Sequence, residues 1–382
     1  MNYIKTNIVV ILMFIAILVI TLINTDTRPD AISEIDNKTL ADSPMHSIGT
    51  SDFPAAVDNY LNDRIGFRYD YIKWYEKAHD VIFGMLIHPS YMYGQDKEIF
   101  ASFDLDYFDD ENYLSDFADF VQGMQKYCND RGIQFVFQWE PDKSAIKTEL
   151  LPRGLYYDSS WVDYLFGEFD ERNINYVDNI TLMNRLDDEG VLVYNHRYDT
   201  GHFNDNGAYY SVNNVLENLR RSNTTIHVNN PSEIDFGTTI IEKLDQSEFS
   251  INEEVPSNEI KEASFKEIKE YVDDIYIDPS TQGYLFSYYE NDKRQKEGAP
   301  KGLVFGGSHM GLNYKYYANS FSEYLNVPNY TNVINYEYYI EKFNPRVVVF
   351  EMCQRTTGDF YFPIYRKEEL KADIEAYEAS RY

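Results

Sequence analysis

The hydrophobic pattern changes character along the 382 residues, beginning with one long apolar run. "NIVVILMFIAILVITLIN" carries no charge between Lys5 and Asp26. Its length is close to the roughly 20 residues that cross a bilayer, which predicts a transmembrane anchor over 7–25 behind a short tail, 1–6. Lys5 precedes the run, and Asp26, Asp30, Glu34 and Asp36 follow it. Under the positive-inside rule the tail is cytoplasmic and the body lies outside the membrane. No small-x-small cleavage site follows, so an uncleaved anchor fits better than a signal peptide. Residues 26–50 are polar and aperiodic, as in a tether, and a single extracytoplasmic domain is expected over 51–382.

Beyond the tether, "FPAAVDNYLNDRIGFRYDYIKWYEKAHDVIFGM" repeats apolar residues every three or four positions, predicting one or two amphipathic helices. "YMYGQDKEIFAS" has a glycine turn between short extended segments, a hairpin signal. The pattern then alternates. "YLSDFADFVQGMQKYCNDRG" predicts a helix closed by Gly132, "IQFVFQW" a strand, "WVDYLFGEFDERN" a helix, "VLVYNH" a short strand and "AYYSVNNVLENLRRS" a helix. Residues 223–300 are polar and mixed, with a helix predicted near "SFKEIKEYVDDI". "KGLVFGGS" reads as a strand and turn, "YKYYANSFSEYL" and "YEYYIEKF" as helices, and "PRVVVFEM" as a buried strand. Continuous apolar strands separated by helices predict an α/β fold whose parallel sheet is covered on both faces.

Composition narrows the function classes. Apolar residues make up 43% of the chain, with 35 tyrosines and 24 phenylalanines, enough for a sizeable core. The formal net charge of -29 argues against nucleic acid, whose phosphates need a basic partner, and against electrostatic adhesion to anionic lipid. Cys128 and Cys353 suggest neither a disulfide scaffold nor a metal site, and buried unpaired thiols are expected. There is no Walker A loop, no G-x-G-x-x-G and no H-E-x-x-H. No cofactor or metal is called for.

Ligands of parallel α/β sheets sit at the carboxyl ends of strands. Ser308, Glu140, Asp142 and Glu351 all fall just past predicted strand ends. A serine hydroxyl attacks only when a base takes its proton, and that base is commonly a histidine oriented by a carboxylate. The loop "YDTGHFND" supplies Asp199 and His202 as D-x-x-H, a spacing that lets the carboxylate reach one ring nitrogen while the other points away. Each residue also has an ordinary reading. Ser308 can be a small turn residue, Asp199 a turn former and His202 a loop histidine. Asn204, a candidate for substrate binding, can instead cap the helix that begins near Gly207. His309 adjoins Ser308, but sequence neighbours rarely align as nucleophile and base, so it reads as a turn residue. Lys143 and Arg355 are candidates to hold substrate, or else ion-pair partners of Glu351 or Asp142.

The joint pattern resembles the SGNH/GDSL hydrolase superfamily with its order reversed, Asp199 and His202 preceding Ser308. Over about residues 53–355 it is similar to the SGNH-hydrolase-like domain of AlgX, AlgJ and DHHW proteins. The segments that carry the resemblance are "FPAAVDNYLNDRIGFR" with Asp63, Arg64 and Arg68, "YGQDKEIF", the P-D-K strand exit of "WEPDKSAIKTELLP", "DTGHFNDNGAY", "LVFGGSHMG" and the E-x-x-x-R of "FEMCQRT". Gly307 stands where that family commonly has Asp, Phe203 where it has Trp, and His202 is one residue later than in many relatives. The resemblance implies a three-layer sandwich and a Ser308–His202–Asp199 acyl-transfer mechanism. It also implies Arg355 at a motif position, O-acetylation of an exported polysaccharide, and a multipass membrane acyltransferase as partner. Two other functions share these residues: a catalytically degenerate glycan-binding or scaffold module, and D-alanyl transfer to teichoic acid.

Overall fold

The computed structural model describes residues 2–29, 31–33, 38–102, 108, 110–245 and 247–381, with backbone alone for 2–7 and 9. The chain forms two compact units, Met1–Tyr91 with Ile241–Asn252, and Met92–Ile240 with Glu253–Tyr382.

In the first unit a helix covers Asn2–Ile23. Among the described residues no helix is long and apolar enough to cross a membrane, so the structure does not support the expected transmembrane anchor. The side chain of Lys5, with Asp30, Glu34 and Asp36 of the expected flanks, lies outside the described residues. The amphipathic segment forms two helices, Phe53–Arg64 and Arg68–Phe83. Gly66 lies between them, at a position where a Cβ would sit 2.6 Å from the Asn24 Cβ. Arg64 is buried and donates to the carbonyls of Ala41 (2.6 Å), Arg28 (2.7 Å) and Leu40 (3.2 Å). Asp63 accepts the Ala41 N–H and pairs with Lys38 at 3.0 Å. These motif residues therefore tie down the polar segment that precedes them.

The second unit is built on a seven-stranded sheet. In chain order its strands are β1 (Gln134–Glu140), β2 (Tyr176–Asp178), β3 (Phe265–Glu267), β4 (Ser287–Asn291), β5 (Lys301–Gly306), β6 (Glu323–Pro328) and β7 (Val347–Cys353). Their spatial order is β2-β1-β7-β5-β6-β4-β3. The first five are parallel, and β4 and β3 close one side antiparallel. Side-chain alternation along the strands sends Phe135, Phe137, Trp139, Leu303, Phe305, Val348 and Phe350 to one core. Val136, Val304, Val347 and Val349 face the other. Helices Glu111–Asn129, Ser160–Glu171 and Tyr336–Phe343 cover the aromatic face, and Asn179–Asp188, Asp205–Arg220 and Met310–Ala318 cover the valine face. The expected three layers are present.

Three sequence expectations change. "VLVYNH" is a loop, because its backbone groups bond outside any sheet ladder. The Val193 carbonyl accepts from Asn204, the His196 carbonyl accepts from Ile99, and the His196 N–H donates to Glu253. "SFKEIKEYVDDI" is β3 followed by a short 3-10 segment, Lys269–Asp274. "YKYYANSFSEYL" stops being helical at Ala318 and continues into β6. Both cysteines are buried free thiols.

Candidate active site

Strand β5 ends at Gly306, and the chain turns through Gly307 and Ser308 into the helix Met310–Ala318. The turn is closed by the Met310 N–H on the Gly307 carbonyl (3.2 Å) and the Gly311 N–H on the Ser308 carbonyl (3.2 Å). Asp199 has a left-handed backbone (φ 43°), a conformation that Asp tolerates better than most residues. Its carbonyl accepts the His202 N–H at 3.2 Å. The tight loop brings the two side chains together as the D-x-x-H spacing predicts. Asp199 Oδ1 lies 2.6 Å from His202 Nδ1, and His202 Nε2 lies 2.8 Å from Ser308 Oγ. Asp199 and His202, three positions apart, thus form one hydrogen-bonded row with Ser308, 106 positions beyond His202.

The row opens into a cavity of about 300 Å³, whose lining includes Tyr198, Val255, Pro256 and Leu312 beside the three residues themselves. That size suits a small acyl group and part of a larger ligand. His202 and Asp199 are partly exposed, at 27% and 36% of their side chains, so a ligand can reach them.

The loop is held from behind by a group in the stretch that sequence reading left unassigned. Glu253 accepts the backbone N–H groups of His196 (2.6 Å), Arg197 (3.0 Å) and Tyr198 (2.7 Å). Polar composition gives no hint of this role, because the carboxylate acts on backbone rather than on a motif.

Arg355 is where its motif position suggests. Its Nη2 is 3.5 Å from Ser308 Oγ, a long contact, while Nη1 donates to Asp142 Oδ1 at 2.9 Å. Asp142 is buried, which pushes its carboxyl pKa up against the pull of the Arg355 guanidinium. The pair is both a link in the fold and a cation facing the serine.

Lys143 is placed differently from the substrate-binding expectation. It is fully buried, pairs with Glu98 at 2.7 Å, and donates to the carbonyls of Ile99, Asn195 and His196. Its charge is consumed by the protein interior. Asn204 lines the cavity, but its side chain is committed. Oδ1 accepts the N–H groups of Asn206 and Gly207 at the start of the Asp205–Arg220 helix, and Nδ2 donates to the Leu192 carbonyl and Asn195. Asn204→Ala is therefore expected to cost about 1–2 kcal/mol of stability, as helix N-caps do. Thermal unfolding checks the loss; an unchanged melting temperature contradicts the capping role.

Glu140 ends β1, but Glu351 lies inside β7 rather than past its end. Glu140 is bound by Ser211 (2.5 Å), Gln138 (2.5 Å) and Asn179 (3.1 Å), and its burial raises its pKa, with the nearby Glu351 adding to the effect. Burial pushes Glu351 up to about 7, against the opposing Gly307 N–H and Arg355. His309 is buried, its ring 4.3 Å from Phe203 and 4.9 Å from His202, and burial depresses its pKa. It packs behind the base instead of serving as one.

The Glu351 shift has a definite sign. Between the unfolded carboxyl value near 4.5 and about 7 the folded protein binds the extra proton, so this group's stability contribution falls as pH rises. Relative to Glu351→Gln, wild type is expected to lose up to about 3 kcal/mol between pH 4.5 and pH 8. Denaturant melts of both proteins across that range check it; a difference independent of pH contradicts it.

Among the described residues, no group of three or more His, Cys, Asp or Glu could hold a metal ion. No protein-family model and no curated protein matches the chain. Solved structures do. The chain is similar to the O-acetyltransferase domain of Pseudomonas putida AlgJ, with 14% identity, 75% of this chain and 100% of that one covered, and a TM-score of 0.50. It is similar to Bacillus cereus PatB1, with 13% identity, 72% and 98% covered, and a TM-score of 0.52. A DHHW family protein from Eubacterium siraeum gives 15% identity, 75% and 97% covered, and a TM-score of 0.51. The chain shares the fold of the AlgJ domain and of the DHHW family protein. The likeness inferred from short motifs thus holds at the level of architecture, and the sheet carries Ser308 just past the carboxyl end of β5.

Proposed function

We propose that the chain is an extracytoplasmic O-acyltransferase or esterase that modifies a secreted or cell-surface polysaccharide, with Ser308 as nucleophile, His202 as base and Asp199 as orienting acid. The observation that carries the reading is the hydrogen-bonded row, 2.6 Å from Asp199 to His202 and 2.8 Å from His202 to Ser308, opening into a cavity. A module that only binds glycan has no need of that row.

The chemistry follows from the atoms. Ser308 Oγ attacks the acyl carbonyl carbon while its proton passes to His202 Nε2. The donor C–O bond breaks, and Nε2 returns the proton to the leaving alcohol, leaving acyl-serine. A sugar hydroxyl, or water, then attacks the acyl carbon. Its proton passes through Nε2 back to Oγ as the ester bond to serine breaks. Asp199 keeps Nδ1 protonated and stabilises the imidazolium. The Ser308 backbone N–H is the candidate oxyanion donor, and Arg355 Nη2 supplies positive charge beside the reacting oxygen.

Fold likeness to a named O-acetyltransferase domain favours acetyl as the group transferred. A multipass acyltransferase that delivers the donor is the partner in this reading. Membrane attachment through 7–25 belongs to the same proposal. It rests on the charge-free sequence and on exposed apolar side chains such as Leu12 (59%), Phe14 (63%) and Ile23 (77%).

The test is to incubate the detergent-solubilised full chain with a chromogenic acetyl ester and neutral oligosaccharides. Acetate released or transferred to sugar supports the reading. A chain that neither cleaves the ester nor acetylates any sugar, and whose serine resists sulfonyl fluorides, does not carry this chemistry. PatB1 has been solved with a sulfonyl adduct, so the reagent class is apt for this fold.

A further inference from the structure

The turn before Ser308 raises a specific question: what fixes it, when Gly307 has no side chain to do so? The described structure answers from the neighbouring strand. Glu351 Oε2 accepts the Gly307 N–H at 2.5 Å. Glu351 is fully buried, and side-chain alternation along β7 turns it to the valine face, towards the turn. A side chain at 307 would crowd its neighbours slightly. A Cβ at 307 would lie 3.1 Å from the Tyr330 hydroxyl and 3.5 Å from the Asn329 amide. Asn329 binds both sides of this contact, its N–H donating to the Gly306 carbonyl (3.1 Å) and its Nδ2 to the Glu351 carbonyl (2.7 Å). Tyr330 is held in a left-handed conformation (φ 56°) beside them.

We infer that Glu351 is a positioning residue: it fixes the Gly306–Gly307 peptide and thereby holds Ser308 Oγ in reach of His202 Nε2. A carboxyl group is expensive to bury, and this one touches the nucleophile's turn directly rather than a distant part of the core. The same strand exit carries Arg355, whose Nη2 lies 3.5 Å from Ser308 Oγ. One segment, Glu351–Arg355, therefore meets the turn at its backbone and at its reactive oxygen. Either protonation state of Glu351 offers an acceptor oxygen, so the role depends on reach, not on charge. Other charged or titratable groups near Glu351 include Glu140 on β1, His309 after the turn, Arg355, Cys353 and the phenols of Tyr317, Tyr324 and Tyr330.

This inference rests on Ser308 being the nucleophile, and its test separates the two. The active-site concentration of each variant is first titrated with a sulfonyl fluoride, and kcat and KM for a chromogenic acetyl ester are then expressed per labelled site. Glu351→Gln keeps length and an acceptor oxygen and is expected to stay near wild type. Glu351→Asp withdraws the carboxyl by one methylene and is expected to lose about tenfold in kcat, and Glu351→Leu about a hundredfold, a loss typical of an ångström-scale misplacement. KM is expected to stay unchanged in all three. A purely structural role would lower the melting temperature and the number of labelled sites but leave kcat per site intact in Glu351→Leu and Glu351→Asp, and that result overturns the inference. If Glu351→Leu fails to fold, Gln above Asp in kcat per site supports the inference, and Asp equal to Gln overturns it. Wild type that takes no label at all overturns the nucleophile assignment, and this inference with it.

Discussion

Ser308→Ala is expected to reduce acetyl-ester turnover by about four orders of magnitude or more, because loss of a nucleophile removes the acyl-serine path and leaves only the residual catalysis of binding and oxyanion contacts. The fold should be unaffected. Ser308 is only partly buried, and its backbone bonds within the turn do not involve the hydroxyl. Circular dichroism and melting temperature should therefore match wild type while activity falls. Activity that survives the substitution assigns the reaction to another group or to a contaminant. His202→Ala in parallel should fail similarly, since Oγ would retain its proton.

Lys143→Ala is expected to act on stability instead. Removing a buried cation leaves Glu98 facing the interior without its ammonium partner and takes a donor from three backbone carbonyls, of which that of His196 keeps the Ile99 N–H. Breaking such a pair from one side typically costs about 3–5 kcal/mol. The carbonyls of Asn195 and His196 belong to the loop that leads into Asp199 and His202, so activity should fall with the folded fraction. The decisive comparison is between denaturant midpoint and KM. A shifted midpoint with unchanged KM agrees with the buried role, and a raised KM with unchanged stability returns Lys143 to substrate binding.

Much of the sheet was legible because its strands are near-continuous apolar runs, as β1, β5 and β7 are. Apolar periodicity also read the helices Glu111–Asn129 and Asp205–Arg220 correctly. It failed where strands are short or polar. β3 and β4 carry Lys, Glu and Asn within stretches that look like solvated loop, and only the pairing of β4 with β6, and of β3 with β4, makes them sheet. The pairing of Asp199 with His202 could be read because it is local. Its approach to Ser308 is not local, and no spacing rule gives it. Lys143 looked like a ligand for substrate because it follows a strand, yet Glu98 lies 45 positions earlier with no motif to announce it. Glu351 was marked by its place near a strand end, but not its contact with the Gly307 N–H, and Glu253, which also acts on backbone N–H groups, left no mark on the residue pattern.

The claim at the centre of this account is that Ser308 Oγ becomes covalently acylated, and peptide mass spectrometry reads that bond directly. The full chain would be quenched in acid during turnover of an acetyl ester, digested, and sequenced by fragmentation. Acetyl is expected on the peptide containing Leu303–Gly311, localised to Ser308, absent from Ser308→Ala and accumulating when the sugar acceptor is withheld. Acetyl on another residue, or ester turnover with no acyl-enzyme in a quench fast enough to trap it, contradicts the account.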